Sequence, residues 1–395
     1  KLSHEHFTLV DASQRSGVYQ WRATEGDANN TGYLAPAIPG TPAALCAAHE
    51  RFGKLPLDQV MAPAIRLAEE GFELDWDVSH VFAMQSARLR KFPESLRTYF
   101  RPDGNLLVAG SYMEAPDKLI QKDLGRTLRL IAEKGADGFY KGETAQKIAE
   151  DVQANGGVIT VEDFAAYEPR FYDDVKLHDY HGYQILQSPY NNGGPTVLEA
   201  LNILENDYIA DYGFGTAVST HLVIEAQRRA FLDRFRYLGD PEVAPVPTEG
   251  ITSKAFAAAR RADIDLNRAT PNAQAADPWP YQQEQMAGAG GGRVSINGDG
   301  LTTHFNVIDA DHNMVSCTST LGAHFGSAVV AKDTGVLLNN GVMWFDPEPG
   351  SIVTIGGGKR IMTAGTPTLV LKDGAPLLAI GAPGGRRVIS AIFQC

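Results

Sequence analysis

The chain changes character near residue 301, and that change limits its fold more than any single motif. The stretch 41–170 reads as mostly helical, whereas strand-like runs dominate later, at 302–308, 314–320, 327–331, 367–371 and 377–381. Helices come mainly first and strands afterwards, without regular βα alternation. That order favours α+β layers over a doubly wound parallel sheet.

Local signals fill in the helical part. "PAIPGTPAAL" (36–45) reads as a turn feeding a helix. "LDQVMAPAIRLAEEGF" predicts a helix stopped at Gly71. "GETAQKIAEDVQANGG" carries Ala145, Ile148, Ala149 and Val152 at helical spacing and stops at Gly156-Gly157. "TVED" (160–163) has the form of a capping box. A long helix is expected over 215–237, with Arg228, Arg229, Arg234 and Arg236 on its polar side. "VKLHDYHGYQILQSPYNNGGPT" predicts strand material, a turn, and a helix from about Pro195. Near the N-terminus, "HFTLV" and "GVYQW" read as two short strands. Residues 268–300 read as a flexible connector; "MAGAGGGRVSINGDG" is no phosphate loop, since no Gly-Lys-Ser/Thr follows it and no helix opens there.

The 395 residues would suffice for two or three domains or for one large layered one. With Asp+Glu at 47 against Lys+Arg at 35, the net charge is −12, which argues against nucleic acid or an anionic membrane as partner. No run of 18 apolar residues exists to span a membrane. Cys46, Cys317 and Cys395 form neither a disulfide framework nor a zinc site, and Cys317 reads as a small core residue. His178, His181, His304, His312 and His324 show no metal-binding spacing, so no metal is expected. "KLSHEHFTLV" has neither an initiator Met nor a signal-peptide apolar region, and "ISAIFQC" stops within an apolar run; both ends read as cut.

One hairpin carries candidate chemistry. In "GLTTHFNVIDADHNMVSCTSTLG" (300–322), "DADHN" has turn composition. It is not a calcium loop of the helix–loop–helix kind, because Met314 and Thr320 stand where Gly and Glu are needed. If Ile308 faces Met314, Thr302 lies across from Thr320, within hydrogen-bonding reach. A one-residue slip would separate them. Such a pair can be a plain cross-strand stabiliser. It can also be catalytic, because a threonine at a new N-terminus has its own base, an α-amine with a pKa near 8. The Gly-rich stretch just upstream is a place where a cut would be tolerated. Gly384-Gly385 in "GAPGGRRV" reads either as a simple turn or as a pair of amides for an oxyanion.

These pieces occur in one order with "PGTPAAL", "GADGFYKGETAQKIAEDVQANGGVITVEDFAAY", "HGYQILQSPYNNGGPT", "RYLGDP", "GVLLNNG", "GKR" and "TPTLVLKDG". Together they resemble the γ-glutamyltranspeptidase family, threonine-type N-terminal nucleophile (Ntn) hydrolases with an αββα sandwich. The resemblance spans almost the whole chain. It implies a large-subunit-like region, 1–301, and a small-subunit-like region, 302–395, produced by self-cleavage between Leu301 and Thr302. Thr302 would attack the substrate amide with its own amine as base. Thr320 would hydrogen-bond the nucleophile, and Gly384 and Gly385 would bind the oxyanion. Water or an acceptor amine would release the acyl group. No metal or organic cofactor is implied. Family members' full chains begin earlier and end later, and most bacterial members are exported, which implies a periplasmic or extracellular location.

The substrate pocket matches less completely. Arg22 in "YQWRATEG" falls where the family has an arginine for the substrate carboxylate, and a guanidinium suits that role through two parallel hydrogen bonds. Thr363 and Ala364 stand at a pair of carboxylate-binding serines, so one hydroxyl is lost. After Asn340 the sequence is "GVMWFDP", with Trp344 in a segment that carries acids in the family, and Gly322 replaces an asparagine. Without a carboxylate at its position, a substrate α-ammonium would be buried unpaired, which costs several kcal/mol. Two enzymatic readings follow: a γ-glutamyltransferase or glutathione hydrolase, or a cephalosporin/glutaryl-type acylase of the same family. A catalytically inert binding member is the third reading; intact Thr302, Thr320 and Gly384-Gly385 speak against it.

Overall fold

A computed structural model describes residues 2–14, 21–173, 175–282 and 301–395. The chain is α+β, as its element order predicts. The helical part comprises α1 (Thr41–Phe52), α2 (Leu57–Glu70), α3 (Trp76–Leu89), α4 (Pro93–Tyr99), α5 (Lys122–Lys134), α6 (Asp137–Tyr140), α7 (Glu143–Ala154) and α8 (Val161–Ala165). Two short strands, β1 (Phe72–Glu73) and β2 (Lys118–Leu119), pair within it. Then come β3 (His178–Tyr180), β4 (Tyr183–Gln187), α9 (Gly194–Leu204), α10 (Ala217–Tyr237), α11 (Thr248–Ile251) and α12 (Lys254–Ala262). The C-terminal part holds β5 (Leu301–Ile308), β6 (Met314–Gly322), β7 (Thr368–Lys372), β8 (Ala375–Ile380) and α13 (Arg387–Gln394).

The predicted helix signals act where expected. α2 ends at Gly71, whose φ of 78° is open to glycine and costly for other residues. α7 buries Ala145, Ile148, Ala149 and Val152 along one stripe. At the start of α8, the Thr160 hydroxyl accepts from the Asp163 amide and the Asp163 carboxylate accepts from the Thr160 amide at 3.0 Å.

β3, β4, β7 and β8 form one antiparallel sheet in that order, so the middle and the end of the chain share it. β5 and β6 form a separate hairpin that packs on β7 and β8, where the Ser316 hydroxyl donates to the Ile380 carbonyl at 3.1 Å. α9 packs on α10, α12 and α13, and its contact with β3 ties this helix group to the sheet. The core is shared across residue 302: Ile131, Phe139, Ile148 and Phe164 pack with Val329 and Leu338.

Three expectations need correction. The run 327–331 is not a strand. Its backbone turns through left-handed Phe325 (φ 57°) and Ala328 (φ 65°), and a single bridge, Val330 with Leu337, remains. The segment is buried, and the Ser95 hydroxyl from α4 donates to the Ala328 carbonyl at 2.7 Å and accepts from the Val330 amide at 3.0 Å. The Ser95 side chain thus satisfies two backbone groups, while Ser327, Val329 and Ala331 bond to the backbone of Val336 and Leu338, as buried backbone polar groups require. "HFTLV" likewise makes only the bridge between Leu9 and Thr24, preceded by a 3₁₀ turn at His4–His6. Its partner "GVYQW" lies outside the described residues except for Trp21. Of the 268–300 connector, 283–300 also lies outside them, whereas 268–282 is held against α10. There Arg228 donates to the Thr270 and Pro271 carbonyls, and Asp233 accepts from the Ala276 amide at 2.8 Å.

The third correction concerns α10. Arg229 and Arg234 are each 1% exposed rather than solvated. α10 is covered by α9 and α12, so a cation on those faces must be hydrogen-bonded or paired. Arg229 pairs with Glu225 and donates to the Asp263 carbonyl at 2.7 Å. Arg234 faces the site described next.

Candidate active site

The turn between β5 and β6 forms because Asp309 organises it. Its carboxylate accepts from the amides of Asp311 (3.0 Å) and Asn313 (2.8 Å) and from the Asn313 side chain (2.8 Å). Those bonds, the Asn313 side chain first, hold its carboxyl below the usual carboxylate range. From there the ladder runs as predicted, Ile308 opposite Met314 through Thr303 opposite Ser319.

Beyond Thr303 the register shifts, and Leu301 pairs with Gly322. Thr302 therefore faces two residues, Thr320 and Leu321, across a β-bulge. The direct Thr302–Thr320 pairing expected from uninterrupted register is replaced by this offset. The two hydroxyls meet nonetheless: Thr302 Oγ1 donates to Thr320 Oγ1 at 3.3 Å. Thr320 Oγ1 also accepts from the Gly322 amide at 2.9 Å, which occupies a donor next to the irregularity. Bulges re-aim a side chain and locally end pairing, and this one sits under the residue with candidate chemistry.

Gly322 is required by the backbone and by space. Its φ is 101°, and a Cβ there would lie 2.1 Å from Asn340 Oδ1. Asn340 is fully buried. It accepts from the Ala323 amide (3.0 Å), and its side-chain amide donates to Asn30 Oδ1 (2.5 Å) and the Asn30 carbonyl (3.1 Å). Asn340 thus braces the end of β6 and leaves no room for the family's asparagine at 322. Gly322→Ala should destabilise the protein by about 2–3 kcal/mol, from left-handed strain plus displacement of Asn340. The urea midpoint should fall with an unchanged m-value.

On the same side of the hairpin, His304 Nδ1 lies 2.9 Å from Thr318 Oγ1 and Nε2 lies 3.0 Å from Asn306 Oδ1. The ring covers Gly381, where a Cβ would come within 2.0 Å of it. Gly381 begins the segment that reaches Gly384 (φ 128°) and Gly385 (φ 58°) before α13. His304, on the Thr302 strand, therefore packs against Gly381, three and four residues ahead of the two glycines. Open space lies where Gly384 would carry a side chain.

Thr363 approaches from the other direction. A Cβ on Gly365 would lie 3.4 Å from Thr363 Oγ1 and 3.6 Å from Thr318 Cγ2, so this segment borders the hairpin. Thr363 Oγ1 donates to Asn192 Oδ1 at 2.7 Å. Arg22 donates from Nε to the Val10 carbonyl at 2.5 Å, and its Nη1 stands 3.8 Å from Glu348 Oε1. A carboxylate of the chain already faces that guanidinium. Trp344 is 6% exposed and packs with Trp21, Phe235, Met343 and Met362, an apolar cluster. Asp346 is buried and accepts from the Glu348 amide at 3.0 Å, committed to its own turn.

Hence Thr302, Thr320 and Gly322 stand together, braced by Asn340, with Thr363 bordering the same hairpin face. Arg22 and Trp344 belong to the neighbouring Trp21 layer. His304, Asn192 and Arg234 were not singled out as site residues in the sequence. For His304, its position two residues after Thr302 on a strand was the available signal. A cavity of about 630 Å³ opens in the helical part, between Leu74–Trp76 and Ala109–Pro116. No candidate residue lines it, and its serine, Ser111, accepts from the Met113 and Glu114 amides within its own turn. Among the described residues no His, Cys, Asp and Glu cluster fits a metal, and no helix is long and apolar enough to cross a membrane.

With this geometry in view, comparison with known proteins identifies the relatives. The glutathione hydrolase proenzyme of Escherichia coli K12 is 36% identical over 377 residues, which cover 92% of this chain and 61% of that one. The acylase ACY 1 proenzyme of Pseudomonas sp. SE83 is 35% identical over 374 residues, 94% of this chain and 62% of that one. Among solved structures, cephalosporin acylase from Bacillus halodurans superposes with a TM-score of 0.78 at 27% identity, over 92% of this chain and 63% of that one. The γ-glutamyltranspeptidase of Helicobacter pylori gives 0.60 at 30% identity, over 71% and 78%. The chain thus spans about three fifths of the length of the curated relatives it matches. The profile of the family described as Gamma-glutamyltranspeptidase matches residues 11–395. From its ordered motifs, its α+β fold and this match, the chain belongs to the γ-glutamyltranspeptidase family.

Proposed function

We propose that this protein is a self-cleaving amidohydrolase or transpeptidase that forms an acyl-enzyme on Thr302. The observation that carries this reading is the Thr302–Thr320 hydroxyl contact at 3.3 Å across the bulge. Scission between Leu301 and Thr302 would divide the chain into 1–301 and 302–395 and free the Thr302 α-amine. That amine takes the hydroxyl proton as Oγ1 attacks the substrate amide. The Gly384 and Gly385 amides receive the negative charge of the tetrahedral intermediate. The proton passes to the leaving amine, and an ester on Thr302 remains. Water or an acceptor amine then releases the acyl group and restores Thr302.

Arg22 and Thr363 are assigned to a carboxylate on the acyl group, with Asn340 and Gly322 shaping the pocket beside the nucleophile and Trp344 its apolar side. The family's γ-glutamyl activity, as in the relatives named glutathione hydrolase, is the main reading, and γ-glutamyl amides such as glutathione are the substrate class. A second reading, an acylase for groups with a distal carboxylate and no α-ammonium, is favoured by one observation: Val342, Met343 and Trp344 are all buried in apolar surroundings. Family membership supports a periplasmic or extracellular site of action.

The test is intact-mass analysis of the purified protein, then chromophore release from γ-glutamyl and glutaryl p-nitroanilides. Two fragments meeting at Thr302 are expected. Faster release from the glutaryl compound would select the acylase reading, and faster release from the γ-glutamyl compound the transferase reading. A chain that stays uncut and inert on both would defeat the proposal.

A further inference from the structure

We infer that Arg234 is a positioning residue that sets the Thr363 segment for a carboxylate-bearing acyl group, and that Asn192 holds the Thr363 hydroxyl proton until that carboxylate takes it over. This rests on the proposed role of Thr363 and extends it to residues outside the substrate contact. Arg234 lies on α10, 1% exposed. Its Nη1 donates to the Asn192 carbonyl at 2.6 Å and its Nη2 to the Thr363 carbonyl at 2.5 Å. One guanidinium thus ties two segments distant in sequence, the turn before α9 and the run 361–365.

The two segments are joined further along their length. Asn191 donates from its side chain to the Ile361 carbonyl at 2.7 Å. The Thr363 amide donates to the Asn191 carbonyl and the Gly193 amide to the Gly365 carbonyl, both at 2.9 Å. Asn192 Oδ1 then takes the Thr363 hydroxyl at 2.7 Å. Thr363 is therefore held at its amide, its carbonyl and its side chain.

A buried cation is expensive unless its hydrogen bonds are well made, and the two-pronged guanidinium matches two carbonyls that an ammonium cannot span in the same plane. Arg234 does not reach the surface to touch substrate; it acts through Thr363. The pocket has lost one of the family's paired hydroxyls at Ala364, so the orientation of the hydroxyl that remains matters more.

Glutarate serves as the probe, a dicarboxylate with the acyl chain's length and no α-ammonium. Its affinity for the purified wild-type protein, Arg234→Lys, Asn192→Ala, Thr363→Ala and the Arg234→Lys/Thr363→Ala pair is measured by calorimetry. Arg234→Lys should weaken glutarate binding on the order of tenfold and raise KM for glutaryl p-nitroanilide similarly, with a smaller change in kcat. Asn192→Ala, which removes the competing acceptor and leaves the buried cation in place, should instead tighten glutarate binding several-fold. In the Thr363→Ala background, Arg234→Lys should add little, because the residue it positions is gone. Full additivity of the two substitutions, unchanged glutarate affinity in Arg234→Lys, or weaker binding by Asn192→Ala would overturn the inference. Self-cleavage, read by intact mass, reports separately: a wild-type chain that stays uncut counts against Thr302 as nucleophile, while the glutarate affinities still decide the role of Arg234.

Discussion

Thr302→Ala should migrate as one uncut chain and release chromophore no faster than buffer. On the proposed mechanism the substitution removes the attacking oxygen, both in scission and in turnover. Thr320 Oγ1 is 3.3 Å away, but it lies mid-chain, where no free α-amine can form to act as its base. The loss should therefore be several orders of magnitude, as when an essential nucleophile is deleted. Thr302→Ser keeps a hydroxyl and an α-amine and should recover both cutting and turnover in part. Intact mass and anilide release on the same preparations check the pair of variants. Normal turnover by Thr302→Ala would remove this residue from the mechanism.

Gly384→Ala should lower kcat by about 10²–10³-fold with little change in KM. Gly384 holds a φ of 128°, a region that residues with a Cβ avoid, although space around the site is open. The strain is therefore in the backbone and not in a collision. Alanine would relax φ and turn the adjacent amides away from the developing oxyanion, and losing one such donor has an effect of this size. Because the site of change is a loop end, the melting temperature should move by only a few degrees. An unchanged kcat would show that the glycines serve the turn into α13 and no more.

Most of the helical architecture was legible because short-range physics specifies it. The apolar stripe of α7, the Thr160–Asp163 cap and the Gly71 stop depend on residues a few positions apart, and each lies where its pattern predicts. The hairpin was legible for the same reason, through Asp309 and Asn313. What escaped depends on distant partners. The bulge at Thr302 is one residue of slippage, supported by Gly322 beside Asn340 from a separate segment. The run 327–331 reads as a strand until left-handed Ala328 turns it and Ser95, over two hundred positions earlier, takes two of its backbone groups. Arg234 looks like a solvated helix cation until α9 and the Thr363 segment close over it. Within the site, Thr302 and Thr320 could be paired from the sequence, whereas Asn192 could not, since an asparagine in a Gly-rich turn announces only the turn.

The interior shared by Ile131, Phe139 and Ile148 with Val329 and Leu338 has a bearing on what scission would do. A nick ahead of Thr302 alters the connectivity of the polymer and leaves its architecture interlocked, so the halves have no reason to part. Reassembly after denaturation is another matter. An intact chain can fold as a unimolecular event, but two strands must first find each other, and their yield then depends on concentration. A processed molecule of this kind would persist through the height of its unfolding barrier more than through any ability to re-form.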